Sequence, residues 1–122
     1  MNTQGVSEAI IFARKEGLKV AVKSGGHSFE NFSSIDDGLQ INLSLMNEVK
    51  WVDQTTVSIQ PSCTLREMYD ALLPNNRIIP TGSCGGVGVG GITLGGGYGF
   101  FARKYGLTCD AVKEITFVDG TG

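Results

Sequence analysis

The sequence predicts an α+β domain in which small mixed sheets and packed helices support glycine-rich loops. Two segments carry apolar residues at helical spacing, several short segments alternate apolar with polar residues, and Gly82–Gly99 has glycine at more than half its positions. That last run, GSCGGVGVGGITLGGGYG, offers almost no side-chain area to a core. Each glycine also loses more backbone entropy on folding than alanine, about 0.5–1 kcal/mol in regular structure. Such a run points to close backbone approach to a ligand, with amide N–H groups facing an anion such as a pyrophosphate.

Taken in order, Val6–Glu16 places Val6, Ala9, Ile10 and Ala13 on one helical face, with Gly17 positioned to end the helix. Leu18–Val22 alternates as a strand with one face inward, and Ser24-Gly25-Gly26-His27-Ser28 breaks it. Leu39–Leu43, Val49–Val52 and Val57–Ile59 read as three further strands, the last two parted by a polar turn at Asp53-Gln54-Thr55. Thr64 and Glu67 have capping-box spacing ahead of the stripe Leu65, Met68, Tyr69, Leu72 and Leu73, which Pro74 and Asn75 terminate. Arg77–Ile79 is expected as a short strand, Phe100–Tyr105 as a helical turn or two, and Val112–Val118 as a final strand. Asp119-Gly120-Thr121-Gly122 then has the chemistry of a hairpin turn.

At 122 residues the chain is one domain at most. Ten Lys+Arg against twelve Asp+Glu leave no basic face to invite a nucleic acid. No apolar run approaches the roughly 20 residues of a membrane span, and MNTQGVSEA lacks the plan of a signal peptide, so a soluble protein with no membrane partner is expected. Cys63, Cys84 and Cys109 fit neither a disulfide framework nor a metal site, so no metal is expected. Cys63 and Cys109 are expected as small buried hydrophobes. Cys84 differs because glycine surrounds it.

Several chemistries can be weighed on these residues. A Walker A loop needs glycine before its Lys-Ser, whereas the one Lys-Ser pair, Lys23-Ser24, follows Val22. Gly86-x-Gly88-x-x-Gly91 satisfies G-x-G-x-x-G, with Asp110 downstream for a ribose contact, so a Rossmann-type NAD domain stays open. The preceding strand would be short and end at Pro80, and glycine this dense produces the pattern by chance. Cys84 with His27, the only histidine, could form a thiol–imidazole pair, although a protease gives no reason for so much glycine. A noncatalytic dinucleotide- or phosphate-binding module is a further alternative.

Two loops together carry a resemblance. Lys23-Ser24-Gly25-Gly26-His27-Ser28, then Pro80-Thr81-Gly82-Ser83-Cys84-Gly85-Gly86-Val87-Gly88-Val89-Gly90-Gly91, Leu94-Gly95-Gly96-Gly97-Tyr98-Gly99 and Arg103-Lys104-Tyr105-Gly106-Leu107 occur in that order. Over essentially the whole chain this resembles the PCMH-type FAD-binding domain of the vanillyl-alcohol oxidase/p-cresol methylhydroxylase superfamily, nearest the berberine-bridge-enzyme-like oxidases. The resemblance implies FAD bonded through His27 at the 8α-methyl and, in the bicovalent branch, through Cys84 at C6. Lys23, Ser24, Gly25, Gly26, Ser28, Gly82, Val87, Gly88, Gly90, Gly91 and Tyr98 would complete the cofactor-binding set.

It further implies hydride transfer from an alcohol, sugar or amine-type donor to the flavin, with oxygen as the second substrate. Many members of the branch have histidine where this chain has Ile92, which implies a lower flavin potential here, with backbone amides or Thr93 left to meet the charge. No catalytic base can be named: Tyr98, Tyr105 and Lys104 read better as packing or surface residues. The resemblance also implies an incomplete flavin domain, without an N-terminal strand, a C-terminal remainder and a substrate domain, and inactive by itself.

Overall fold

The computed structural model describes residues 2–122. Helix α1 (Thr3–Lys15) starts earlier than the apolar stripe predicts because Asn2 caps it, its side-chain oxygen accepting the Gly5 N–H at 2.9 Å. At its other end Gly17 takes φ 65°, and the bonds Gly17 N–H to Arg14 O and Leu18 N–H to Ala13 O close the helix as a Schellman motif.

Strands β1 (Val20–Lys23) and β2 (Leu39–Asn42) pair in parallel, from Val20 opposite Leu39 to Lys23 opposite Asn42. Residues 24–38 connect them without a helix or strand. Helix α1 lays Val6, Ala9 and Ile10 on a small core of Ile41, Leu43 and Met46. On β1 it is Ala21 that faces inward, while Val20 and Val22 are exposed.

Strands β3 (Val49–Trp51) and β4 (Val57–Ile59) form the expected antiparallel hairpin. Helix α2 (Leu65–Leu72) packs on it, and the capping box is formed in both directions between Thr64 and Glu67. Leu65, Met68, Leu72 and Cys63 are fully buried and gather Val49, Val57, Ile59, Val87, Val89 and Ile92 around them. Each such side chain contributes about 1.5–3 kcal/mol of burial, which makes this cluster the anchor for the glycine run.

The run is not uniform loop. It contains a six-residue helix, α3 (Val89–Leu94), that glycine-rich sequence does not advertise, and the expected helical turn follows as α4 (Ala102–Tyr105). The two expected strands at Arg77–Ile79 and Val112–Val118 are absent, because among the described residues no neighbouring backbone pairs with either. Cys109 is exposed rather than buried, since it lies in the short 3-10 helix Thr108–Ala111 at the surface. A turn forms at Asp119–Gly122, though with no strand before it among the described residues it is not a hairpin, and it rests on α1, where Arg14 donates to Gly120 O and Ser7 to Gly122 O.

Candidate cofactor site

The loop bearing His27 begins where β1 ends. Ser24 turns the chain away from the sheet, and its hydroxyl donates to Pro61 O at 2.6 Å. Gly26 takes φ 73°, a conformation that side chains rarely adopt, and a Cβ there would also lie 2.9 Å from Lys23 Cε. Lys23 therefore meets this loop with its aliphatic stem.

The glycine loop is held from behind by the start of α2. Leu65 N–H donates to Val87 O at 2.9 Å, Arg66 N–H to Gly85 O at 3.0 Å, and Val89 N–H to Cys63 O at 2.8 Å. Thr64 itself takes the Glu67 and Met68 amides through its hydroxyl and carbonyl. The first amides of α2 are thus all committed, and this helix end is a clamp for the loop rather than an anion site. With Gly85 and Val87 carbonyls turned toward α2, the amides of Ser83, Cys84, Gly85 and Gly86 donate to no acceptor among the described residues. The same holds for Gly25, Gly26, His27 and Ser28.

The two loops pack together at Gly25 and Gly88. A Cβ on Gly25 would lie 2.4 Å from Gly88 N, and one on Gly88 would lie 2.3 Å from Ser24 Oγ and 2.6 Å from Gly25 N. Backbone therefore packs directly on backbone, which only glycine at both positions permits. The His27 ring lies over Gly86, its Nε2 3.4 Å from where a Cβ would stand. Cys84, two residues earlier, is an exposed free thiol. An imidazole lies on the loop that also carries an exposed thiol, and the amides of both loops that are unpaired among the described residues are a donor set suited to a diphosphate. FAD fits this arrangement in kind: the amides suit its pyrophosphate, and the nitrogen and sulfur are nucleophiles able to bond to its ring.

The remaining expected residues divide. Gly90 packs on Pro61, with its N–H donating to Pro61 O at 2.9 Å and a Cβ excluded by Pro61 at 2.9 Å, so its amide is not free for a ligand. Gly91 has open space beside it, and Ser28 closes its own loop by accepting the Phe32 N–H. Val87 directs its side chain into the core, leaving only its backbone to the loop. Gly82 sits behind the site, against Ile92 Cδ1 and beneath the Tyr69 hydroxyl. Tyr98 is exposed.

Gly95–Gly99 has a structural task. Gly97 and Gly99 admit Thr108 and the Thr81 carbonyl, to which a Cβ would approach within 2.0 and 1.7 Å. Buried Thr108 has its hydroxyl within hydrogen-bonding distance of Pro80 O and Gly97 O, at 2.8 and 3.0 Å. Ile92 packs on the α2 core, so its lack of a donor accompanies a packing role.

Two residues of the site escaped sequence reasoning. Pro61 contributes only a carbonyl, which has no signature of its own. Arg66 lies along Gly85, its Nη2 3.4 Å from a Cβ there. A basic residue in a helix's first turn, against the dipole, was the available signal. Cys63 is chemically quiet: burial, with the Glu67 charge second, pushes its thiol up to about 11. Among the described residues no group of three or more His, Cys, Asp or Glu side chains could hold a metal, and no helix is long and apolar enough to cross a membrane.

Comparison with known proteins shows the family. Residues 1–122 match the family model described as an FAD binding domain. Chitooligosaccharide oxidase of Gibberella zeae (strain ATCC MYA-4620 / CBS 123657 / FGSC 9075 / NRRL 31084 / PH-1) is 41% identical over 120 residues, covering 96% of this chain and 24% of that protein. Berberine bridge enzyme-like 24 of Arabidopsis thaliana is 36% identical over 124 residues, covering 96% and 23%. The crystal structure of Phl p 4, a grass pollen allergen with glucose dehydrogenase activity, superposes with a TM-score of 0.90 at 29% identity, covering 98% of this chain and 26% of that one. The chain thus spans only about a quarter of the length of these relatives. It belongs to the FAD-binding-domain family, PCMH type, in the branch of the berberine-bridge-enzyme-like FAD-linked oxidoreductases.

Proposed function

We propose that this chain holds FAD for an oxidoreductase, with His27 and Cys84 as the tethering residues and the free amides of Gly25–Ser28 and Ser83–Gly86 as the pyrophosphate cradle. The single observation that carries the reading is the position of the His27 ring over Gly86, where both runs of free donors come together. Bound FAD would supply two-electron oxidation of an alcohol, sugar or amine-type carbon, with oxygen as the electron acceptor. The sugar-oxidising relatives, chitooligosaccharide oxidase and Phl p 4, support a small-molecule donor of that class.

The chain's own part is binding and orientation. Glycine at positions 25 and 88 lets the two loops lie close enough to present their amides together. The Gly85 carbonyl, held by Arg66 N–H, fixes the direction of the Gly86 amide in the same peptide plane, so that donor is preorganised before a ligand arrives. No side chain of this chain is assigned as the base that takes the donor's proton.

The test is the intact gene product, purified and examined for the visible flavin band before and after protein precipitation. A yellow protein whose colour stays with the precipitate supports a tether, and one that releases FAD supports the cradle without it. A colourless protein that takes up no added FAD refutes the reading. Anaerobic bleaching of the band across alcohols, oligosaccharides and amines then identifies the donor.

A further inference from the structure

We propose, on the reading that these loops hold FAD, that Ser24 is a positioning residue: its hydroxyl couples the His27 loop to the Cys84 loop through one shared acceptor. The Ser24 hydroxyl is part-buried and donates to Pro61 O at 2.6 Å, while Gly90 N–H donates to the same oxygen at 2.9 Å. One carbonyl therefore receives a donor from each loop. The backbone of Gly88 also lies close to that hydroxyl, since a Cβ on Gly88 would stand 2.3 Å from it. The group thus touches both Pro61 and Gly88. Gly90 also needs to be glycine for this contact, with Pro61 Cβ only 2.9 Å from a Cβ placed there.

The consequence is mechanical. His27 lies three residues beyond Ser24 and Cys84 six before Gly90, so the Pro61 carbonyl sets the two nucleophiles in one frame. Removing the hydroxyl leaves Pro61 O still bonded to Gly90, so no buried acceptor is orphaned and the fold survives. What is lost is the register of the His27 loop against its neighbour.

The experiment uses the intact gene product with FAD as the probe. Ser24→Ala is expected to lower flavin loading about 3–10-fold, the scale of one neutral hydrogen bond, and to weaken the flavin's visible circular dichroism. Asn2→Ala, which removes the α1 cap far from the loops, is the stability-matched control and keeps the wild-type flavin signal. Gly90→Ala displaces the shared carbonyl, so in that background Ser24→Ala is expected to have little further effect.

Full additivity would show the hydroxyl acting on the cofactor directly and overturn the proposal. Wild-type loading and dichroism in Ser24→Ala would overturn it alone, leaving the FAD reading standing. A wild-type protein that takes up no flavin would remove both.

Discussion

Replacing Gly88 by alanine acts on the contact between the two loops and on little else. Its φ of −78° is open to any residue, so no backbone strain enters. The added Cβ would lie 2.3 Å from Ser24 Oγ, 2.6 Å from Gly25 N and 3.1 Å from Gly25 Cα. Two of those atoms are backbone, and the third is held by Pro61, so the loops must separate by about 1 Å to reach ordinary contact. Overpacking of this kind costs about 1–3 kcal/mol, against which alanine's restriction of the unfolded chain returns about 0.4–1 kcal/mol.

The expected net loss is about 1–2 kcal/mol, a fall in Tm of roughly 4–8 °C in the flavin-free chain. Gly91→Ala is the matched comparison, because nothing lies within 4 Å of its Cβ and it sits inside α3. There the helix should gain about 0.5–1 kcal/mol, while flavin loading of the intact protein falls if ligand approaches that open side. Thermal denaturation followed by circular dichroism reads both variants. Gly88→Ala as stable as wild type, or Gly91→Ala less stable than it, would refute the contact reasoning.

Other perturbations separate structure from function. Gly97→Ala, which meets Thr108 Oγ1 at 2.0 Å in a left-handed conformation, should destabilise by more than Gly88→Ala and be measurable by urea denaturation. In the native flavin-free chain, iodoacetamide should label exposed Cys84 and Cys109 and spare Cys63, whose buried thiol is raised to about 11, as peptide mapping would show. Acid stability should depend on Glu67, whose carboxyl is lowered by the Thr64 backbone N–H first and the Thr64 hydroxyl second. Because the folded value lies below the unfolded one, its contribution is present above about pH 4.3 and disappears as pH falls through the folded value; Glu67→Gln should flatten that part of the stability–pH profile.

Much of the fold was legible because local chemistry and tertiary structure agree. Gly17 closes α1, and the Thr64–Glu67 box opens α2 where spacing places it. The loops that carry His27 and Cys84 were legible as glycine-rich breaks, and the structure brings the His27 ring onto Gly86 of the Cys84 loop. Elsewhere a long-range partner decides. Val112–Val118 reads as a strand, yet among the described residues no strand lies beside it.

The glycine run misled in one respect, since ligand approach and tight packing demand the same residue. Gly97 and Gly99 make room for Thr108 and Thr81, whereas Gly88 lets its loop touch the Ser24–Gly25 backbone. The helix α3 arises despite poor propensity, because Val89 and Ile92 face the buried α2 core.

The central claim, that these two loops hold FAD through His27 and Cys84, is tested most directly by denaturing mass analysis and peptide mapping of the intact gene product. The account predicts flavin mass on the peptides containing His27 and Cys84. Flavin on His27 alone would keep the cradle and return Cys84 to an untethered thiol. A product with no flavin mass on either peptide, and no affinity for added FAD, would contradict the account.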